Sequence, residues 1–196
     1  MREKLIVLLF KDKNAFATDK GPPGAIIGHK LDIILNVEKP YPPLLRRPAY
    51  PASPRAQETL EVCIEELMDL GLLRKVGHNG QVEVTTPVII AWNNGKSRMV
   101  GRFRALKICT IPERHPITRI HEKLTQFSQA KLITAMDALK HFHHNLLTDY
   151  YKKLLRIIVH FGTYEYLRIS FKMKDEPSQY QRMMNTIFHE ELSEGW

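Results

Sequence analysis

The chain has 196 residues, 43% of them apolar and 26% charged, which is enough to bury a core without disulfide or metal staples and too apolar for disorder throughout. Lys and Arg number 29 against 21 Asp and Glu, a net charge of +8 that points to an anionic partner, nucleic acid before an acidic membrane surface. The 2 cysteines exclude a disulfide framework and favour a reducing intracellular setting, cytoplasm or nucleus. Leu5–Phe10 is too short for a secretory leader and is followed by Lys11-Asp12-Lys13, and no apolar run of roughly eighteen residues predicts a membrane span.

Residues 1–35 alternate short apolar runs with charge, predicting a peripheral arm with a helix at the start and a strand near Lys30–Leu35. Residues 36–54 hold six prolines (40, 42, 43, 48, 51 and 54) around Arg46-Arg47, which predicts an extended connector on the surface. Ser53-Pro54 then fits an N-cap with proline at the first helical position. Leu60, Cys63, Ile64, Leu67 and Met68 recur at helical spacing, and Gly71 fits the C-terminal cap. Val82–Trp92 reads as a strand that is an edge or is bulged at Pro87. Asn93-Asn94-Gly95 signals a tight turn, and Lys96–Ala105 returns as the second strand. Period-two alternation places Arg98, Val100, Arg102 and Arg104 on one face of that strand. His115-Pro116 opens a helix striped by Ile117, Ile120, Leu124 and Phe127, and Lys131–Met136 is a short strand ending at Asp137. Leu154–Val159 and Tyr164–Ile169 read as a hairpin, and a last helix near Pro177 is striped by Tyr180, Met183, Met184, Ile187 and Leu192.

Three groups of residues offer chemistry. Asp137, at the carboxyl end of an apolar strand, suits a hard cation such as Mg²⁺ or, equally simply, caps the following turn. The arginine face offers planar bidentate donors for phosphate, or is a solvated face paired with acids. His141, His143 and His144 lack any cysteine or histidine partner at ligand spacing, so packed or exposed histidine is the simpler reading. No phosphate-cradling glycine loop or hydrolase elbow occurs.

Four stretches together resemble the reverse transcriptase of gypsy-type LTR retrotransposons. They are LMDLGLLRK (67–75), TTPVIIAWNNGKSRMVGRFRALK (85–107), TIPERHPITRIHEKLTQFSQAKLITAMDALKHFHHN (110–145) and YEYLRISFKMKDEPSQYQRMMNTIF (164–188), in family order over about residues 40–196. The resemblance implies an α+β fold of right-hand polymerase type, with fingers over 55–130 and a partial palm over 131–196, after the 1–35 arm and the 36–54 connector. It implies RNA-directed DNA polymerisation with Mg²⁺, dNTPs and an RNA/DNA primer-template, within a larger Pol polyprotein. Residue by residue, Asp137 matches the first catalytic, metal-holding aspartate. Phe142 matches the bulky side chain that rejects a ribose 2′-OH. Arg98, with Lys96 nearby, matches the fingers cation on the incoming triphosphate. Arg104 is a further phosphate-facing candidate, and Gln181 matches the helix beneath the primer-template.

The chain also departs from the family pattern. The family's next motif, Tyr-x-Asp-Asp, is not found, and no adjacent Asp-Asp pair occurs. Arg102 stands for an aspartate, Lys172 and His141 for glycines, and Asp175-Glu176 brings acid near expected nucleic acid. The expectation is a fragment, inactive alone. The alternatives are a non-catalytic basic nucleic-acid-binding module and a decayed retroelement product.

Overall fold

The computed structural model describes residues 6–7, 10–11, 21–77, 81–113, 138, 141–169, 173 and 176–189. The helix expected from His115 and the strand Lys131–Met136 lie outside them. The described elements are α+β, in chain order β1 (Lys30–Leu31), a 3-10 turn (Pro43–Leu45), α1 (Pro54–Asp69), β2 (Leu73–Lys75), β3 (Thr86–Asn93), β4 (Lys96–Gly101), α2 (Arg104–Ile108), a 3-10 turn (His141–His144), β5 (Leu146–Leu147), α3 (Asp149–Leu154), β6 (Arg156–Val159), β7 (Gly162–Tyr166) and α4 (Glu176–Ile187). Five strands form one mixed sheet in the order β2-β7-β6-β3-β4, and β1 and β5 form a parallel pair of their own. Among the described residues no helix is long and apolar enough to cross a membrane.

The helix α1 forms where its caps and apolar period require. Ser53 Oγ accepts the Ala56 amide at 3.4 Å, and Pro54 occupies the first turn, where no intrahelical donor is needed. Leu60 and Ile64 are buried and turn the helix onto β2, β3 and β4. At the other end Gly71 takes φ 66°, Leu72 N–H donates to Leu67 carbonyl and Gly71 N–H to Met68 carbonyl, the paired bonds of a Schellman cap. That reversal drives Leu72, 1% exposed, into the core and leaves Met68, expected on the buried stripe, 40% exposed. Ser53→Ala is expected to cost about 1 kcal/mol and to lower the melting midpoint by a few degrees, readable by circular dichroism.

Of the two expectations for Pro87, an edge strand or a bulge, the edge does not hold: β3 is interior, between β6 and β4. Thr86 and Pro87 pair in parallel with Ile157 and Ile158 of β6, and from Val88 onward the strand pairs antiparallel with β4. The residue without an amide donor sits where β3 changes partners, so the missing donor falls where one ladder gives way to the other.

The strand β4 also stops short of the expected Ala105. Its ladder ends as Arg102 N–H donates to Pro87 carbonyl at 3.0 Å. Phe103, 3% exposed, turns inward to face Tyr166 with ring centroids 6.3 Å apart. Its ring lies 2.4 Å from where a Cβ on Gly101 would stand, so the glycine makes room for the fold-back. Arg104 therefore opens α2 and does not share the strand face with Arg98.

The β6–β7 hairpin is present, but β6 starts later than expected, because Leu154 ends a helix, and β7 runs from Gly162 to Tyr166 and not to Ile169. That helix, α3, is capped by Thr148 Oγ1, which accepts the Tyr151 amide at 3.1 Å. Glu165 on β7 stands directly opposite Arg74 on β2 and Arg156 on β6. It accepts from Arg74 Nε at 3.1 Å and from Arg156 Nε at 3.2 Å, while Arg156 Nη1 donates to Gln81 carbonyl at 2.8 Å. Glu165 and Arg156 are buried.

The end of the expected peripheral arm joins the core: Leu31 and Ile33 are buried, and Thr148 N–H donates to Leu31 carbonyl. On α4, Met183 is buried as its stripe implies, but Ile187 is 49% exposed. Leu192 lies outside the described residues.

Candidate nucleic-acid interface

The β3–β4 hairpin closes through Asn94 and Gly95 at φ 47° and 74°. Two consecutive positive values make a type I′ turn, whose twist matches the flanking strands and which Asn-Gly adopts at least cost. Asn93 thus pairs with Lys96, and Ala91 with Arg98. Lys96 and Arg98 are two residues apart on β4, so both project from one face, and both are exposed. The opposite face carries Trp92, whose ring lies 4.7 Å from the Arg55 guanidinium of α1. That stack ties the hairpin to the helix behind it and leaves the Lys96–Arg98 face outward. Cys63 of α1 lies behind Met99; burial, and then the neighbouring Glu66 carboxylate, push its thiol above the usual range, so it stays protonated near neutral pH.

The second assembly joins the His141–His144 turn to α4. His141 packs against the Tyr180 ring with centroids 5.0 Å apart, and burial raises the Tyr180 hydroxyl above its ordinary value. His143 Nδ1 lies 3.1 Å from Ile169 carbonyl, and Arg168 Nη1 donates to the carbonyls of His143 and Gly24 at 3.3 Å. His141 and His143 are thus held by these contacts. Gln181, one residue beyond Tyr180, donates to Asn185 Oδ1 at 2.8 Å along its own helix. The backbone of Phe142 lies in this turn, beside the helix bearing Gln181; its side chain is outside the described set, as is Asp137.

The structure therefore groups Lys96 with Arg98 and the Phe142 turn with the Gln181 helix, and it separates Arg104 from the strand face. Among the described residues no three His, Cys, Asp or Glu side chains converge to hold a metal. Sequence alone does not group Arg46 and Arg47 with other residues. Their doublet inside a proline-rich run was the signal available, but what they stand against depends on contacts with Thr85, far along the chain.

No family model matches the chain. Over 140 residues, 70% of the chain, it is 29% identical to the retrovirus-related Pol polyprotein from transposon 297 of Drosophila melanogaster, and over 167 residues, 83% of the chain, 28% identical to that from transposon opus of the same fly. A 102-residue stretch is 29% identical to the Pol polyprotein of the Drosophila transposon gypsy. In structure it superposes on the prototype foamy virus protease-reverse transcriptase with a TM-score of 0.71 at 20% identity, over 96% of the chain. The foamy viral protease-reverse transcriptase in complex with RNA/DNA hybrid gives the same TM-score of 0.71 at 13% identity.

The chain is similar in sequence to retrotransposon Pol polyproteins and shares the fold of the foamy virus protease-reverse transcriptase.

It spans 13% of the transposon 297 polyprotein, 16% of the opus polyprotein and 24% of the foamy virus chain. The first two residues of β3 pair with β6, and the rest pairs with β4 in a two-stranded arm whose tip is the I′ turn.

Proposed function

We propose that the chain forms the fingers and the first part of the palm of an RNA-directed DNA polymerase and contributes phosphate binding to it. The observation that carries this reading is the I′ hairpin, which holds Lys96 and Arg98 on one exposed face of a reverse transcriptase fold. Guanidinium and ammonium groups on a rigid two-stranded arm stabilise phosphate oxygens with little loss of side-chain freedom. In this role Arg98 and Lys96 meet the triphosphate of an incoming dNTP and the adjacent template. Arg104 adds charge from the base of the arm. Phe142 screens the ribose 2′ position, and Gln181 lies under the primer-template.

Asp137 would hold Mg²⁺ through hard carboxylate oxygen, and the ion would supply charge stabilisation at the phosphates. The described residues do not by themselves make a two-metal centre, and these 196 residues contain no adjacent Asp-Asp pair. The purified 196-residue polypeptide is therefore expected to bind an RNA/DNA primer-template without extending it. A primer-extension assay with Mg²⁺ and all four dNTPs tests this. Unextended primer in the presence of measurable hybrid binding is the expected result, and robust incorporation contradicts it.

A further inference from the structure

Past the Pro43–Leu45 turn, the connector docks on the residue that precedes β3. Thr85 N–H donates to Leu45 carbonyl at 2.8 Å, Arg47 N–H donates to Thr85 carbonyl at 3.2 Å, and Thr85 Oγ1 donates to Arg47 carbonyl at 2.7 Å. These bonds fix the backbone of Arg46 and Arg47 beside the central sheet, and they involve neither guanidinium.

Between this segment and the sheet lies an open cleft of about 360 Å³ lined by Arg46, Arg47, Pro48, Thr85, Ile158 and Thr163. Ile158 and Thr163 are cross-strand partners on the half-buried outer face of β6–β7, while their neighbours Ile157 and Tyr164 face the core. The floor is therefore partly apolar and the rim carries two exposed arginines, within the size range of ligand sites.

Among the described residues no carboxylate lines the cleft. The nearby carboxylates are engaged, Glu83, in the segment before β3, by Lys39 and Glu165 of β7 by Arg74 and Arg156. Among the described residues no carboxylate pairs with Arg46 or Arg47, so their charge is available to an outside anion. An unstacked base over Ile158 and Pro48, with its phosphates on the two guanidinium groups, satisfies both the apolar floor and the charged rim. A duplex keeps its bases stacked inside and offers the floor nothing.

We propose that this cleft binds single-stranded nucleic acid, the unpaired template outside the primer-template duplex, through Arg46 and Arg47. The proposal rests on the functional reading above and adds to it a second contact region, distinct from the hairpin face.

The test is the salt dependence of binding of a fluorescein-labelled single-stranded oligonucleotide to the full 196-residue chain. For single strands each phosphate contact contributes about 0.7 to the slope of log K against log salt, so Arg46→Gln/Arg47→Gln is expected to flatten it by about 1.4. Arg46→Lys/Arg47→Lys is expected to retain most of the slope. A control pair, Lys30→Gln/Lys153→Gln, exposed on β1 and α3, is expected to leave it unchanged. Equal flattening by the control pair would mean diffuse attraction and would overturn the cleft. So would an unchanged slope in Arg46→Gln/Arg47→Gln while Lys96→Ala/Arg98→Ala still weakens hybrid binding, a result that leaves the functional reading standing. If the unsubstituted chain binds neither strand nor hybrid at low salt, both fall. Thermal melts of the variants are expected to match the parent, because the bonds that dock the connector are made by its backbone.

Discussion

Glu165→Ala is expected to destabilise the chain by about 3–5 kcal/mol, the cost of stranding a buried charge. Glu165 is the shared acceptor of Arg74 and Arg156, and the two halves of the triad differ. The Arg156 side chain is 9% exposed and its Nε···Oε2 bond is 3.2 Å, whereas the Arg74 side chain is 64% exposed and its charge is screened by water. Removing the carboxylate leaves the Arg156 guanidinium inside the sheet with, among the described residues, Gln81 carbonyl alone to satisfy it. Arg74→Ala is expected to cost no more than about 1 kcal/mol. The double replacement Arg156→Met/Glu165→Leu removes both buried charges and is expected to be far milder than Glu165→Ala alone. At roughly 2–4 °C per kcal/mol for a chain of this size, Glu165→Ala lowers the melting midpoint by about 6–20 °C. Urea or thermal unfolding followed by circular dichroism measures the series. A Glu165→Ala shift no larger than that of Arg74→Ala would show that the network adds nothing to the sheet.

The second large effect falls on binding, with stability unchanged. Lys96→Ala/Arg98→Ala is expected to weaken binding of an RNA/DNA hybrid by about tenfold to a hundredfold, the loss of one or two charge-assisted phosphate contacts discounted for exposure. Both residues are exposed on β4, and neither supplies a core contact, so unfolding is expected to shift by less than about 0.5 kcal/mol. Arg104→Ala is expected to do less, because Arg104 begins α2 beyond the end of the arm. Fluorescence anisotropy with a labelled hybrid separates the three variants. Equal losses for Arg98→Ala and Arg104→Ala would argue for undirected attraction by the whole basic surface.

The parts of this fold that were legible in the sequence are those whose cause is local. Ser53-Pro54, the apolar period through Leu60 and Ile64, and Gly71 each act within a turn of the backbone, so α1 could be read with both its ends. Asn94-Gly95 specifies its own dihedrals, so the tight turn and its return strand followed directly. What failed depended on distant partners. Alternation through Arg98, Val100, Arg102 and Arg104 continues past Gly101, but the strand does not, because Phe103 finds Tyr166 across the core. Pro87 signals an edge only if a strand keeps one neighbour along its length, and β3 changes neighbours there. Thr148 and Asp149 open α3 with ordinary capping chemistry, but the apolar Leu154-Leu155 that follows reads as readily as strand. The candidate site divides in the same way. Lys96 and Arg98 share a face because two-residue spacing on a strand requires it, whereas the cleft beside Arg46 and Arg47 exists only once β6 and β7 have brought Ile158 and Thr163 alongside β3 and the connector has docked on Thr85.

The central claim is that the Lys96–Arg98 face of the hairpin grips nucleic-acid phosphates, and counting those phosphates tests it most directly. Affinity of the unsubstituted chain and of Lys96→Ala/Arg98→Ala for an RNA/DNA hybrid is measured across a salt series. Two phosphate contacts on a duplex correspond to a slope lower by about 1.8 in the variant, and that convergence of the two lines at high salt is the expected result. Parallel lines, with the same salt dependence in both proteins, would contradict the account.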